Sequence, residues 1–128
     1  MEFELTAIFD STPNAVYNAF LDSDEHSEMT GGQALITEDE GDKYSAWDGY
    51  IWGTILELRP DNYIKLSWRT PDFEEDQPHS LVEIFLSDNP EGKCELRLKH
   101  SELLDKDTQY EQGWIDNYFT PMSEYFKK

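Results

Sequence analysis

The sequence predicts an α+β fold in which a curved antiparallel sheet wraps around a long C-terminal helix. Three observations lead to this fold class. An alternating strand pattern and two short helical patterns come first, strands separated by turn residues follow from residue 34 to residue 100, and an aromatic helical stripe ends the chain. The length of 128 residues predicts one domain over residues 1–128.

The N-terminal region predicts one strand and two short helices. Thr12 and Pro13 form a helix-start signal, because a threonine hydroxyl can cap free N–H groups and proline suits the first helical position. Residues 22–29 predict a second short helix, which the glycine pair 31–32 ends. The preceding strand is predicted from four apolar residues that alternate with polar ones, namely Phe3, Leu5, Ala7 and Phe9.

The middle of the chain predicts an antiparallel meander of six strands after these helices. Turn clusters at residues 59–62 and 88–92 are typical of hairpins. In the last strand, residues 94, 96, 98 and 100 share one face, while charged residues occupy the other. The six predicted strands are 34–37, 43–46, 50–58, 63–69, 80–87 and 93–100.

The C-terminal segment 107–126 predicts a long helix that packs on the sheet. Apolar and aromatic residues recur in it at spacings of three and four. Two residues oppose a regular helix here. Gly113 weakens a helix interior, and Pro121 removes a hydrogen bond, so we expect a bend near residue 121.

The charge of the chain excludes several classes of partner. Asp and Glu number 28 against 10 Lys and Arg, which gives a net charge of −18. Nucleic-acid binders and proteins of anionic membrane surfaces need clustered basic residues, so neither partner is expected. The N-terminus carries no signal-peptide pattern and no apolar run is long enough to span a bilayer, so we expect a cytoplasmic protein.

The sequence contains no motif for metal, cofactor or nucleophilic chemistry. The three histidines show no zinc-ligand spacing, and neither acidic turn fits a calcium-binding loop. Glycine-rich phosphate or dinucleotide loops and a nucleophile elbow do not occur. We therefore predict no cofactor, no metal and no catalytic residue, and interpret Cys94 as a small buried apolar residue.

Several local motifs are spread over the chain. They are the segments 46–53 (AWDGYIWG), 56–60 (LELRP), 67–69 (SWR) and 96–100 (LRLKH), with Gly113, Trp114, Tyr118 and Pro121. Together with the order of elements, these motifs resemble the family of activator of heat-shock protein 90 ATPase homologues, within the helix-grip, START-like fold, over most of the chain.

The resemblance implies a cavity between the sheet and the last helix. The side chains that would face it either fill the core or line a ligand site. His100 is either a satisfied core histidine or a polar group at the end of this cavity. The inward set that the resemblance implies is Trp52, Leu56, Ile64, Leu66, Trp68, Leu96, Leu98, His100, Trp114 and Tyr118.

Three functions follow as hypotheses from the fold and the family. The first is a non-catalytic protein that binds a small hydrophobic or amphipathic ligand in the cavity. The second is a co-chaperone that modulates a heat-shock protein 90-type ATPase, as the family name implies. The third, a cyclase or hydratase, ranks last because the sequence shows no recognisable acid–base pair.

Overall fold

The helices and strands follow the predicted order in the computed structural model, which describes residues 1–127. Thr12 caps the first helix through its hydroxyl, which accepts from the N–H of Ala15 at 3.1 Å. The elements are β1 (Phe3–Phe9), α1 (Pro13–Phe20), α2 (Ser23–Thr30), β2 (Lys43–Ala46), β3 (Ile51–Arg59), β4 (Tyr63–Trp68), β5 (Ser80–Asp88), β6 (Cys94–Ser101), α3 (Gln109–Trp114), a π-helical turn (Ile115–Phe119) and α4 (Thr120–Tyr125).

All neighbouring strands of the six-stranded sheet are antiparallel, in the order β1-β6-β5-β4-β3-β2. The predicted α+β class, with a curved sheet and a C-terminal helix, is confirmed. Strand β1 pairs with β6 and forms one edge of the sheet, and β2 forms the other edge. The hairpins predicted at residues 59–62 and 88–92 connect β3 to β4 and β5 to β6.

The predicted strand at residues 34–37 is wrong. Leu35 makes a single bridge to Ser45, and the segment otherwise binds to α2 instead of the sheet. The hydroxyl of Ser27 accepts from the N–H of Ala34 at 2.8 Å. The hydroxyl of Ser23 accepts from the N–H of Ile36 at 2.9 Å, so side chains occupy donors that a ladder would use. Five strands therefore follow the helices, and β1 is the sixth.

The C-terminal helix is continuous but irregular just before Pro121. The N–H of Thr120 bonds to the carbonyl of Ile115, five residues earlier, which defines the π-helical turn. Pro121 has no N–H to donate, and its ring would press on the preceding turn of a regular helix. Widening that turn accommodates the proline. The irregularity predicted near residue 121 thus takes the form of a π turn at residues 115–119.

Candidate ligand pocket

A pocket of about 420 Å³ lies between the C-terminal helix and one end of the sheet. It is bounded by the turn before β3, the start of β3, the end of β4, α3 and the π turn. Apolar and aromatic side chains make most of its wall, and two amides add polar groups. The lining residues are Trp47, Tyr50, Ile51, Trp68, Gln109, Tyr110, Gly113, Trp114, Asn117 and Tyr118.

A buried hydrogen-bond chain fixes two tryptophans of this wall. The indole N–H of Trp114 donates to Nδ1 of His100 at 3.0 Å, so the proton of the neutral imidazole is on Nε2. That Nε2–H donates to the hydroxyl of Ser80 at 2.9 Å, which in turn donates to the carbonyl of Trp68 at 2.8 Å. Burial lowers the pKa of His100 to about 3, so the ring stays neutral.

A second histidine fixes the tyrosine on the other side of the pocket. Nδ1 of His26 is 2.7 Å from the carbonyl of Phe20, so this nitrogen carries the proton and donates. Nε2 then accepts from the hydroxyl of Tyr118 at 2.9 Å. Burial lowers the pKa of His26 and raises the pKa of Tyr118, which keeps both groups neutral. The two histidines thus adopt opposite tautomers for the same purpose.

Tyr110 is anchored in the same way on the third side. Its hydroxyl lies 2.6 Å from the hydroxyl of Thr70, which is fully buried. Burial is the largest cause that raises the pKa of Tyr110, to about 12. The ring packs edge-on against Trp68, with centroids 4.9 Å apart. The rings of Trp114, Tyr118 and Tyr110 are therefore each held at the wall through their own polar atom.

Eight of the ten predicted cavity residues fall into three groups. Trp68, Trp114 and Tyr118 line the pocket as expected. His100 lies behind the wall, fully buried, with both ring nitrogens engaged, which is the satisfied core histidine of the two alternatives. The aliphatic members fill the core rather than the pocket wall, and they are Ile64, Leu66, Leu96 and Leu98.

The inward placement of Trp52 and Leu56 is wrong. Leu56 is 42% exposed, and Trp52 is half-buried and bridges Arg69 on the outer face of the sheet. In β3 the inner face instead carries Ile51 and Ile55. Apolar residues occur on both faces of this strand. A register shift between residues 55 and 57 also interrupts the regular alternation of side chains between the two faces. Alternation alone therefore could not assign its faces.

Sequence reasoning missed the two aromatic residues that the turn before β3 brings to the pocket. Trp47, Asp48 and Gly49 adopt positive φ angles of 51°, 60° and 88°. This left-handed run brings Trp47 and Tyr50 to the pocket, an orientation that a strand or helix period does not encode. The only usable signal was the motif AWDGY itself, with a glycine after an aspartate that accepts from the N–H of Gln33 at 2.9 Å.

Metal and membrane features are not found in the part of the chain that the structure describes. Within residues 1–127, no group of three or more His, Cys, Asp or Glu side chains could hold a metal ion. No helix in that range is long and apolar enough to cross a membrane. Cys94 is buried, and burial raises the pKa of its thiol to about 11, so it is a protonated apolar residue at neutral pH.

A curved antiparallel sheet that grips a C-terminal helix over an aromatic pocket defines a helix-grip, START-like protein. Residues 10–127 match the family described as Activator of Hsp90 ATPase homolog 1-like protein. The chain belongs to this family, which confirms the resemblance.

The relatives include proteins much longer than this chain and structures of similar length. The mouse "Activator of 90 kDa heat shock protein ATPase homolog 1" is 24% identical over 95% of this chain, which spans about a third (36%) of that relative's length. An HSP90 activator from Plasmodium falciparum superposes with a TM-score of 0.86 at 24% identity, covering 98% of this chain and 95% of its own. CalU16 from Micromonospora echinospora superposes with a TM-score of 0.80 at 20% identity, covering 98% of this chain and 76% of its own. Both structures share the fold.

Proposed function

We propose that this protein is a non-catalytic binding protein for a small, largely apolar ligand in the pocket between the sheet and the C-terminal helix. The observation that carries the proposal is the open space of about 420 Å³ beneath an otherwise closely packed helix. Three of the rings around it, those of Tyr110, Trp114 and Tyr118, are tethered by hydrogen bonds to partners behind the wall, so they do not collapse into the space. A largely apolar pocket of this size with few polar groups is typical of small-molecule sites.

The side chains of the pocket support binding rather than catalysis. The polar residues of its wall that are not tied to a histidine or to Thr70 are Gln109, Asn117 and, at the rim, Tyr50. General acid–base catalysis needs a titratable group near neutral pH within reach of the substrate. His26 and His100 do not serve, because both are held neutral behind the wall by partners on each ring nitrogen. A cytoplasmic location is part of this proposal.

Gly113 offers a direct test because it lines the pocket without a side chain. A Cβ atom at this position would meet only the amide nitrogen of Asn117, at 3.8 Å. Gly113→Leu should therefore fill the pocket, whereas Gly113→Ala should leave most of it open. The neutral dye N-phenyl-1-naphthylamine is titrated against the wild type and both variants, with dye fluorescence and melting temperature recorded.

The proposal requires saturable binding by the wild type and by Gly113→Ala, with a raised melting temperature, because a ligand specific for the folded state stabilises it. Gly113→Leu should bind at least about tenfold more weakly, since the added side chain occupies the site. Equal binding by all three proteins would place the dye elsewhere and contradict the proposal. The alanine variant also reports on folding, because it removes a helix-interior glycine.

A second candidate is a co-chaperone that acts on a heat-shock protein 90-type ATPase. Membership of the family and the names of its mouse and Plasmodium relatives favour it. Since this chain spans only about a third of the mouse relative's length (36%), that protein's activity is carried over here as a proposal. ATP turnover of the host chaperone should rise on addition of this protein, and unchanged turnover together with no binding by calorimetry would exclude the co-chaperone function.

The variant Gly113→Leu also distinguishes the ligand-binding function from the co-chaperone function. If the pocket serves ligand binding alone, Gly113→Leu loses the dye and leaves any effect on chaperone turnover unchanged. If the pocket helps to dock the chaperone, the variant loses both. Each result assigns the pocket to one role.

A further inference from the structure

The wall of the pocket is built mainly from aromatic rings. Six of the ten lining residues are tryptophan or tyrosine, and neighbouring rings lie close together. The centroids of Trp114 and Tyr118 are 4.7 Å apart, and those of Trp68 and Trp114 are 6.1 Å apart. Aromatic faces carry negative electrostatic potential, and a cluster of them attracts organic cations.

Two hydroxyls of the pocket wall are influenced by nearby carboxylates. Among the described residues, no Lys, Arg, Asp or Glu itself lines the pocket. The hydroxyl of Tyr50, at its rim, donates to the carboxylate of Asp72. The pKa of Tyr50 is raised first by burial and then by this carboxylate, and the pKa of Tyr110 by burial with added repulsion from Asp72 and Asp107. Both hydroxyls therefore sense negative potential from carboxylates close to the pocket.

The basic groups near this wall do not line the pocket and bind to other partners. The guanidinium of Arg69 packs 5.5 Å above the ring of Phe73 and donates to the backbone carbonyls of Glu74 and Gln77. The ammonium of Lys106 lies 3.6 Å from Asp107 and 3.3 Å from Glu74 at a half-exposed position, where solvent screens it. At longer range the net charge of −18 attracts cations and repels anions.

We propose that the pocket selects a small organic cation, an aromatic or alkyl group that carries a quaternary or protonated amine. This inference rests on the proposed function of the pocket and names the chemical class of its ligand. The apolar part of such a ligand contacts the rings, and its charge interacts with their faces and with Asp72. An anionic ligand of the same shape meets neither a basic side chain nor a favourable potential.

Three probes of one shape and different charge test this class. They are (3-hydroxyphenyl)trimethylammonium, its neutral isostere 3-tert-butylphenol and the anion 3-hydroxybenzenesulfonate, each titrated by calorimetry into the wild-type protein. The cation should bind about 3- to 30-fold more tightly than the neutral isostere, which is the range of desolvated cation–π contacts. The anion should bind most weakly, and added salt should reduce the difference in affinity between the cation and the anion.

A matched pair of variants separates the pocket from the overall charge. Asp72→Asn removes the carboxylate at the rim and keeps an oxygen for the Tyr50 hydroxyl. Glu91→Gln removes the same charge from the β5–β6 hairpin, at the opposite end of the sheet. Affinity for the cation should fall about two- to fivefold in Asp72→Asn only. Affinity for the neutral isostere should not change in either variant.

The outcomes distinguish this inference from the proposed function. If the neutral isostere binds as tightly as the cation, the cation class is wrong and the pocket still binds ligands. Equal effects of Asp72→Asn and Glu91→Gln would also overturn it, because the preference would then come from net charge alone. If none of the three probes binds at millimolar concentration and the naphthylamine dye also fails, both proposals are overturned.

Discussion

The C-terminal helix covers a closed end and an open end of the same core. At the closed end, Phe9 of β1 packs against Phe119 and Phe126, with ring centroids 6.2 and 6.0 Å apart. Met122, which lies on the C-terminal helix itself, is also buried. At the open end, Trp114 and Tyr118 from the neighbouring turns border the pocket. The difference lies in the polar atoms of the aromatic residues.

Phenylalanine rings have no polar atom to satisfy, so they close on one another wherever space allows. Tryptophan and tyrosine rings must place an N–H or hydroxyl against a partner when they are buried. At the open end those partners are His100, His26 and Thr70, all behind the wall. The pocket thus persists because its rings are tied outward.

The largest expected effect is at the closed end. Phe9 is 1% exposed, and Phe9→Ala should lower the free energy of unfolding by about 3–5 kcal/mol, through lost burial and the remaining cavity. Tyr50→Ala at the pocket rim, where the side chain is 40% exposed, should cost about 1 kcal/mol or less. Urea unfolding measures both, and similar losses would contradict the contrast between the two ends.

Acid should remove the contribution that the neutral histidines of the open end make to the free energy of unfolding. The folded pKa of His100 is about 3, against an ordinary value of 6.5, and that of His26 is also lowered. The unfolded chain therefore binds more protons below pH 6.5. The stability contributed by neutral His100 is complete above pH 6.5 and is lost progressively as the pH falls towards 3, by about 2–3 kcal/mol at pH 4.5.

His100→Asn provides the matched control for this pH dependence. Its amide can keep an acceptor for the indole N–H of Trp114, and it does not titrate. Protonation of carboxylates at low pH relieves charge repulsion equally in both proteins. The free energies of unfolding of wild type and variant should therefore converge between pH 7 and pH 4.5, and parallel curves would show that His100 is not held neutral.

A smaller loss is expected when the tether of Tyr118 is removed. Tyr118→Phe leaves Nε2 of His26 without its donor, which should cost about 1–2 kcal/mol. Tyr125→Phe removes a similar hydroxyl from the exposed side of α4, where it donates to Glu25, and should change stability by less than about 0.5 kcal/mol. Equal losses in the two variants would show that the buried tether has no special role.

The fold was predictable from sequence because it depends on local signals. The strand alternation, the cap at Thr12 and the hairpin turns each fix one element. The pocket was predictable only in part. The resemblance to the family implied Trp68, Trp114 and Tyr118 as inward residues, whereas Trp47 and Tyr50 are placed by a left-handed turn, and β3 changes phase midway. Which hydroxyl or indole binds which histidine depends on three-dimensional contacts that periodicity does not specify.

Trp47 differs from Trp114 in the environment of its indole nitrogen and gives the smallest predicted effect. Its indole nitrogen is buried and has no hydrogen-bond partner among residues 1–127, unlike that of Trp114. An unsatisfied buried donor costs free energy, so Trp47→Phe should raise the free energy of unfolding by about 1 kcal/mol, the saved desolvation exceeding the smaller ring's lost contacts. Trp114→Phe would instead remove the hydrogen bond from the indole N–H to His100 and lower the free energy of unfolding. Chemical denaturation of both variants tests the contrast, and a loss in both would show that ring size rather than the tether controls the open end.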